Sequence, residues 1–295
     1  MSNNTKKSFH DKWKKNSNSF FKETLDKNHN MQQWILNRNG FKTFAKFSAH
    51  LKNKRNILDA GCGNGRVTAL LYDLAPLDCK IVGVDLVAAD IAKKNFKDKK
   101  RVFFKARDLT DNLNDLGKFD FIYCQEVLHH TLNPFLAFKN LCMLLEPKGE
   151  IAIYVYKKKA AVREFTDDYI REKIKNLSYD DAMLYCSQIT KLGKLLTELN
   201  IKIKVPEVKL FEIEEGEYDV QRLLYHFFAK CFWNPKLSFK DNALINYDWY
   251  HPQISTRHTI NEVKQWFVSN GLKIIHQHVD FYGITVRGIK QNQTK

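Results

Sequence analysis

The chain has 295 residues, 44% of them apolar, with 21 Phe, 12 Tyr and a formal charge of +15. That is enough apolar material for one large α/β domain with additions or for two modest domains. No stretch approaches the roughly 18–20 uninterrupted apolar residues that a membrane span needs. Residues 1–7 lack the apolar segment of a secretory signal. The six cysteines (62, 79, 124, 142, 186 and 231) include no C-x-x-C pair and no C-x-x-x-C-x-x-C cluster. The expectation is a cytoplasmic protein with reduced thiols and no bound metal, zinc or iron–sulfur centre. The charge is uneven: residues 1–55 carry 13 Lys/Arg against 3 Asp/Glu, residues 91–105 carry 7 against 1, and a third run is Lys157-Lys158-Lys159. A basic face of this kind attracts RNA, a nucleotide-linked sugar or an acidic lipid. The runs lack the Arg and Gly interleaving of nucleic-acid tracts, which favours solvated lysine faces.

In chain order, residues 1–49 read as an N-terminal helical extension or lid. Phe20, Phe21, Leu25, Met31, Trp34, Ile35, Phe41, Phe44 and Phe47 are its candidate buried positions. The first part of a core follows at 50–156, with strands expected at 56–59, 80–85, 101–105, 119–124 and 150–156. Helical runs lie near 66–74, 88–95 and 133–145. Strand–helix alternation with short connections means parallel strands joined by right-handed crossovers. Residues 157–255 break the alternation and read as a mostly helical, aromatic insert. The core resumes at 256–291: Thr259-Ile260-Asn261-Glu262 fits a capping box, Gly271 ends the helix, and strands are expected at 272–279 and 281–289. So short a connection forces a hairpin and an antiparallel last strand. The fold class is α/β: a seven-stranded sheet, six strands parallel and one reversed, with N-terminal helices and a helical insert between strands five and six.

Open α/β sheets bind ligands at the carboxyl ends of their strands, and four of those ends are marked. Strand one ends in Asp59-Ala60-Gly61-Cys62-Gly63-Asn64-Gly65, a loop whose glycines permit a sharp turn and close approach of a ligand to the main chain. Strand two ends in Asp85, an acid able to accept from a ribose diol. Strand three runs into Arg107-Asp108-Leu109. Strand four runs into Gln125-Glu126-Val127-Leu128-His129-His130-Thr131. A dehydrogenase fingerprint would read G-x-G-x-x-G, whereas here the third glycine comes one residue early, at 65.

Taken together, Leu58–Gly65, Val82–Asp85, Arg107–Leu109, Phe119–Thr131 and Leu144–Glu150 resemble the class I S-adenosylmethionine-dependent methyltransferases of the Rossmann-like, small-molecule type. The resemblance spans 56–156 and is completed by 259–289. It implies S-adenosyl-L-methionine as cofactor and S-adenosyl-L-homocysteine as product. It implies that Asp59, Gly61, Cys62, Gly63 and Gly65 hold the methionine part. Asp85, with Leu86, would bind the ribose; Asp108 and the Leu109 main chain would recognise adenine; Gln125 and Glu126 would lie under the sulfonium. It also places His129 and His130 where substrate meets cofactor, and an imidazole with a pKa near 6.5 suits a general base.

The insert holds Tyr225-His226-Phe227-Phe228 and Asn246-Tyr247-Asp248-Trp249-Tyr250-His251-Pro252. Such mixed aromatic and polar runs suit a pocket wall and equally suit the core of a helical cap. His226, Tyr250, His251 and Arg257 are the candidate substrate contacts. The expected reaction is methyl transfer to an O or N atom of a small metabolite, a sugar or nucleotide-linked sugar being the direction favoured. The alternatives are a tRNA or other RNA methyltransferase using the basic N-terminal face, and a non-catalytic S-adenosylmethionine-binding module. Strand four lacks an Asp/Asn-Pro-Pro-Tyr/Phe signature and Cys124 is not preceded by proline, which argues against both DNA-base chemistries.

Overall fold

The computed structural model describes residues 2–19, 21, 24, 26 and 30–291, with the backbone alone at 30 and 31. The expected buried positions Phe20 and Leu25, and the side chain of Met31, lie outside the described residues. In chain order the elements are α1 (Asn3–Lys15), α2 (Asn30–Arg38), α3 (Phe44–Leu51), β1 (Asn56–Ala60), α4 (Arg66–Leu74), β2 (Lys80–Val84), α5 (Ala89–Asn95), β3 (Val102–Lys105), β4 (Phe119–Gln125), α6 (Pro134–Met143) and β5 (Leu145–Tyr156). There follow α7 (Ala161–Ile174), α8 (Tyr179–Glu198), β6 (Lys202–Val205), β7 (Gly216–Asp219), α9 (Val220–Phe227), α10 (Phe239–Tyr250), α11 (Ile260–Ser269), β8 (Leu272–Val279) and β9 (Gly283–Lys290).

The chain divides into two compact units. One holds Phe9–Lys157 and the chain from Thr256 on; the other holds Asn3–Ser8 and Lys158–Ser255. The first unit carries the seven-stranded sheet, in the order β3-β2-β1-β4-β5-β9-β8. β9 runs antiparallel to both its neighbours, and the remaining strands are parallel to one another. Side chains along each strand alternate between the two faces, and both faces are buried. Leu58, Ile122, Ile153 and Val286 pack on one side with Phe138 of α6 and Phe267 of α11. Ile57, Phe121, Tyr123 and Ala152 pack on the other with Ile35 and Leu36 of α2, Phe47 and Leu51 of α3, and Leu70 of α4. Of the expected N-terminal positions, Ile35, Phe41 and Phe47 are buried, and Phe21, Trp34 and Phe44 are half-buried.

Local chemistry sets the boundaries. Thr259 accepts from the Glu262 N–H while the Glu262 carboxylate accepts from the Thr259 N–H, so the capping box forms. Asn133 caps α6, accepting from Leu136 N–H at 2.9 Å ahead of Pro134 at the first helical position. β5 begins at Leu145, not 150. Leu145 pairs with Phe119 across a register irregularity before the regular ladder from Glu150, so a segment that reads as a turn (Glu146-Pro147-Lys148-Gly149) stays in the strand.

In the second unit, α7, α8, α9 and α10 are joined by a two-stranded antiparallel sheet, β6 with β7, that the mostly helical expectation did not contain. Lys202-Ile203-Lys204-Val205 alternates polar and apolar, but over only four residues directly after a 20-residue helix, so its period is too short to register. The interior of this unit is organised by Asp167, which accepts from Arg163 Nε at 2.6 Å, Trp249 Nε1 at 2.7 Å, Tyr250 Oη at 2.8 Å and the Lys230 N–H at 3.2 Å.

Candidate functional site

Parallel registration brings the marked strand ends together: Asp59 on β1 lies beside Gly83 of β2 and Tyr123 of β4. The turn that follows is fixed by the main chain, with the N–H groups of Gly61 and Cys62 both donating to the Val84 carbonyl, at 2.7 and 2.9 Å. Gly61, Gly63 and Gly65 have φ of +80°, +54° and +91°, a region that disfavours any side chain. Space forbids one too. A Cβ at 61 would lie 2.2 Å from the Val127 side chain, and one at 63 would lie 2.8 Å from the Trp13 ring.

Two acids beside the loop are held in different ways. Asp85 accepts from Val87 and Ala88 N–H on one oxygen, at 2.9 and 2.8 Å, and from Gly63 N–H on the other, at 3.0 Å. Burial pushes its carboxyl above the ordinary range, against the pull of these N–H groups and the Lys12 ammonium. Asp59 is 1% exposed and accepts from Thr68 Oγ1 at 2.6 Å. Burial raises its pKa to about 7, with the Asp85 charge adding and Thr68 and Arg66 opposing. Farther along, Asp108 accepts from the Thr110 N–H and hydroxyl, at 3.0 and 2.8 Å. Partial burial works against its charge, but these bonds hold its carboxyl below the usual range. Leu86 is half-buried, and Cys62 and Leu109 are buried; burial pushes the Cys62 thiol far up, so it is no thiolate.

At the end of β4, Gln125 is 9% exposed. Its Oε1 accepts from the Tyr123 hydroxyl at 2.8 Å, and that hydroxyl accepts from Asn39 Nδ2 at 3.1 Å. The chain is directional, so the amide nitrogen of Gln125 is turned away and has no hydrogen-bond partner among the described residues. Glu126 follows with φ +60°, a left-handed conformation unusual for its type, and pairs with Arg66 at 3.0 Å. His129 and His130 close the segment in a short 3-10 turn, both buried. The His129 ring stacks on Tyr156 at 3.7 Å, its carbonyl accepts from Thr256 N–H at 2.8 Å, and the His130 ring meets Phe9 edge-on at 4.8 Å.

Sequence reasoning missed the N-terminal cover on this site. Trp13 lies against Gly63, and the buried Lys12 holds its ammonium 4.1 Å over the Trp13 ring. Asn64 Nδ2 donates to the Ser17 and Ser19 carbonyls at 3.0 Å, and Asn95 Nδ2 to Ser17 O at 3.2 Å. These hydrogen bonds link positions 45 to 78 residues apart, and only the amphipathic cast of residues 1–49 hinted at them.

The four candidate substrate residues fall in different places. Tyr250 is buried, donating to Asp167 and to the Lys230 carbonyl at 3.1 Å. His251 is buried with both ring nitrogens engaged, Nδ1 by Ser8 Oγ at 2.9 Å and Nε2 by the Leu177 carbonyl at 3.1 Å. His226 is half-buried, its ring edge-on to Tyr225 at 5.0 Å. Arg257, also half-buried, belongs to the unit that carries the sheet.

A seven-stranded sheet with this order, a reversed last strand, and a glycine loop with acids at the strand ends defines the class I Rossmann-like methyltransferase fold. The fold is shared with the structure of PKMT2 from Rickettsia typhi, which is 15% identical, with a TM-score of 0.54 over 84% of this chain and 54% of that one. The family model described as "Methyltransferase domain" matches residues 28–202, and the chain belongs to that family. A ubiquinone biosynthesis O-methyltransferase of Coxiella burnetii is 31% identical over 104 residues, 34% of this chain and 43% of that protein. A tRNA U34 carboxymethyltransferase of Campylobacter fetus is 32% identical over 124 residues, 41% of this chain and 42% of that one. The chain thus spans less than half the length of these curated relatives. No helix among the described residues is long and apolar enough to cross a membrane.

Proposed function

We propose that this protein is an S-adenosylmethionine-dependent methyltransferase acting on an O or N atom of a small metabolite, with a sugar or nucleotide-linked sugar as the favoured class. One observation carries the reading: the Gly61–Gly65 turn, Asp85, Asp108 and Gln125 converge at the carboxyl ends of β1 to β4 in a single sheet. The residues present fit the cofactor. A Cβ would fill the cradle at 61 and 63. When bound, the cofactor supplies an electrophilic methyl group on sulfur.

In this reading the glycine turn and Asp59 hold the amino-acid end, Asp85 and Leu86 the ribose, Asp108 and Leu109 the base, and Gln125 and Glu126 the region of the sulfur. The Phe9–Ser19 segment excludes water. His129 or His130 takes the proton of the attacking group, and Arg257, in the same unit, contacts the acceptor. The test is calorimetric titration with S-adenosylhomocysteine. Asp85→Ala is expected to weaken binding at least a hundredfold while circular dichroism shows the protein still folded; undiminished affinity would remove the reading.

A second reading, methylation of a tRNA, is supported by the matched tRNA-acting relative and by the 7 basic groups against 1 acidic in residues 91–105. It requires RNA affinity that falls steeply with salt, whereas a metabolite enzyme shows no such dependence.

A further inference from the structure

Four buried polar atoms with no hydrogen-bond partner among the described residues lie on the sheet face that α2 covers. They are Gln125 Nε2, Asn39 Oδ1, Arg38 Nη1 and Thr285 Oγ1. The ladder places them together: Gln125 pairs with Tyr154 and Tyr154 with Thr285, so these side chains stand on the same face. Arg38 lies 4.8 Å from the Tyr154 ring centroid, and Asn39 donates to Tyr123, two residues before Gln125. Their residues are 9%, 1%, 4% and 1% exposed, in the same order. A buried polar atom left unsatisfied costs about 1–3 kcal/mol, and native proteins keep few of them. Four on one sheet face leave hydrogen bonds that a ligand bringing its own donors and acceptors would complete.

The surroundings say what that is. Trp34 and Tyr154 supply an aromatic wall, their rings 5.5 Å apart and edge to face. The Arg38 guanidinium stacks on Trp34 at 4.1 Å, and its charge is already met by Asp280 at 2.5 Å. The nearby Glu126 is likewise matched by Arg66. The patch therefore offers hydrogen bonds without a net charge: two N–H donors, one hydroxyl and one carbonyl oxygen. A phosphate or carboxylate entering it would bring an unmatched charge into a buried site.

We propose that this patch is the acceptor subsite of the methyltransferase, and that it takes an uncharged ring bearing hydroxyl or carbonyl oxygens, either a phenol or a sugar. The inference rests on the methyltransferase reading for its function and on the patch alone for its chemistry. Tyr123 and Asn39 are positioning residues: they turn the Gln125 amide so that its nitrogen faces the ligand.

Two measurements on the full chain test it. First, Thr285→Val removes an atom without a partner among the described residues, so the ligand-free thermal midpoint is expected to hold or rise by a few degrees. A fall of several degrees would show that buried water already satisfies this atom, and would overturn the proposal. Second, saturation-transfer NMR in the presence of S-adenosylhomocysteine compares catechol, methyl glucoside, benzoate and uridine monophosphate. One or both uncharged rings are expected to bind in preference to the two anions, and to lose at least fivefold in affinity in Gln125→Leu; which ring binds distinguishes phenol from sugar. Preference for an anion, equal binding by wild type and variant, or binding by none of the four overturns the subsite. Ring binding without any binding of S-adenosylhomocysteine would sink the methyltransferase reading and leave the subsite standing.

Discussion

Asp59 offers the sharpest test of the site's electrostatics. Its carboxyl is 1% exposed, has one side-chain donor in Thr68, and is pushed up by burial to about 7, against about 3.9 for an unperturbed aspartate. Between pH 4 and 7 the folded state therefore binds a proton that the unfolded chain releases. Stability must fall as the pH rises through that window, by about 1.4 kcal/mol per pH unit, and level off above pH 7. The full penalty is roughly 4 kcal/mol. Asp59→Asn removes the ionisation while keeping an oxygen that can accept from Thr68. Allowing about 1 kcal/mol for the weaker bond, the variant should be more stable than wild type by about 3 kcal/mol at pH 8, and within about 1 kcal/mol of it at pH 4. Urea unfolding of both chains at pH 4, 5, 6, 7 and 8 gives the difference directly. Parallel pH profiles, or a variant less stable at pH 8, would mean that Asp59 is not held near neutrality by burial and that a cation outside this account sits beside it.

Two further outcomes are expected. Gly63→Ala places a Cβ 2.8 Å from the Trp13 ring at a φ of +54°, so it should cost about 1–3 kcal/mol and weaken S-adenosylhomocysteine binding. If Trp13→Ala restores most of the lost stability the clash is the cause; no restoration assigns the loss to the backbone. Asp167→Ala strands the buried Arg163 guanidinium without its carboxylate, which should cost about 3–5 kcal/mol, read from the Trp233 and Trp249 fluorescence of the insert; a loss under about 1 kcal/mol would show that Asp167 is dispensable to that core.

What could be read beforehand follows from the range of the interactions involved. The Gly61–Gly65 turn, the acids ending β1 and β2, and the Thr259–Glu262 cap are local patterns, each written within a few residues, and the parallel direction of the strands follows from strand–helix alternation. β5 was read five residues short because Glu146-Pro147-Lys148-Gly149 has turn composition. The segment does bend, with Lys148 at φ +61°, and it is the pairing of Leu145 with Phe119, some 25 residues away, that starts the strand before the bulge. Trp13 on Gly63 and Asn64 on Ser17 and Ser19 have no local signature at all. Tyr123 reads as an ordinary strand residue and Gln125 as a residue under the sulfonium; the direction of their hydrogen bonds, which decides what Gln125 can offer, is set by Asn39 from the end of α2.

Hydrogen-bond satisfaction separates two kinds of polar residue that composition treats alike. The insert's Tyr250 and His251 stood out for their aromatic–polar mixture, yet Tyr250 bonds to Asp167 and Lys230, and His251 to Ser8 and Leu177. Groups satisfied in this way stiffen a core, and using them for a ligand would require breaking bonds already made. Arg38, Gln125 and Thr285 are as deeply buried, but each keeps an atom without a partner among the described residues. Evolution toward stability alone would replace such atoms with apolar ones at a gain. Their position on one sheet face, along the ladder from Gln125 through Tyr154 to Thr285, is what the proposed acceptor subsite rests on. Substitutions at Gln125 and Thr285 should therefore change which acceptor is used, whereas substitutions at Tyr250 and His251 should change only whether the insert folds.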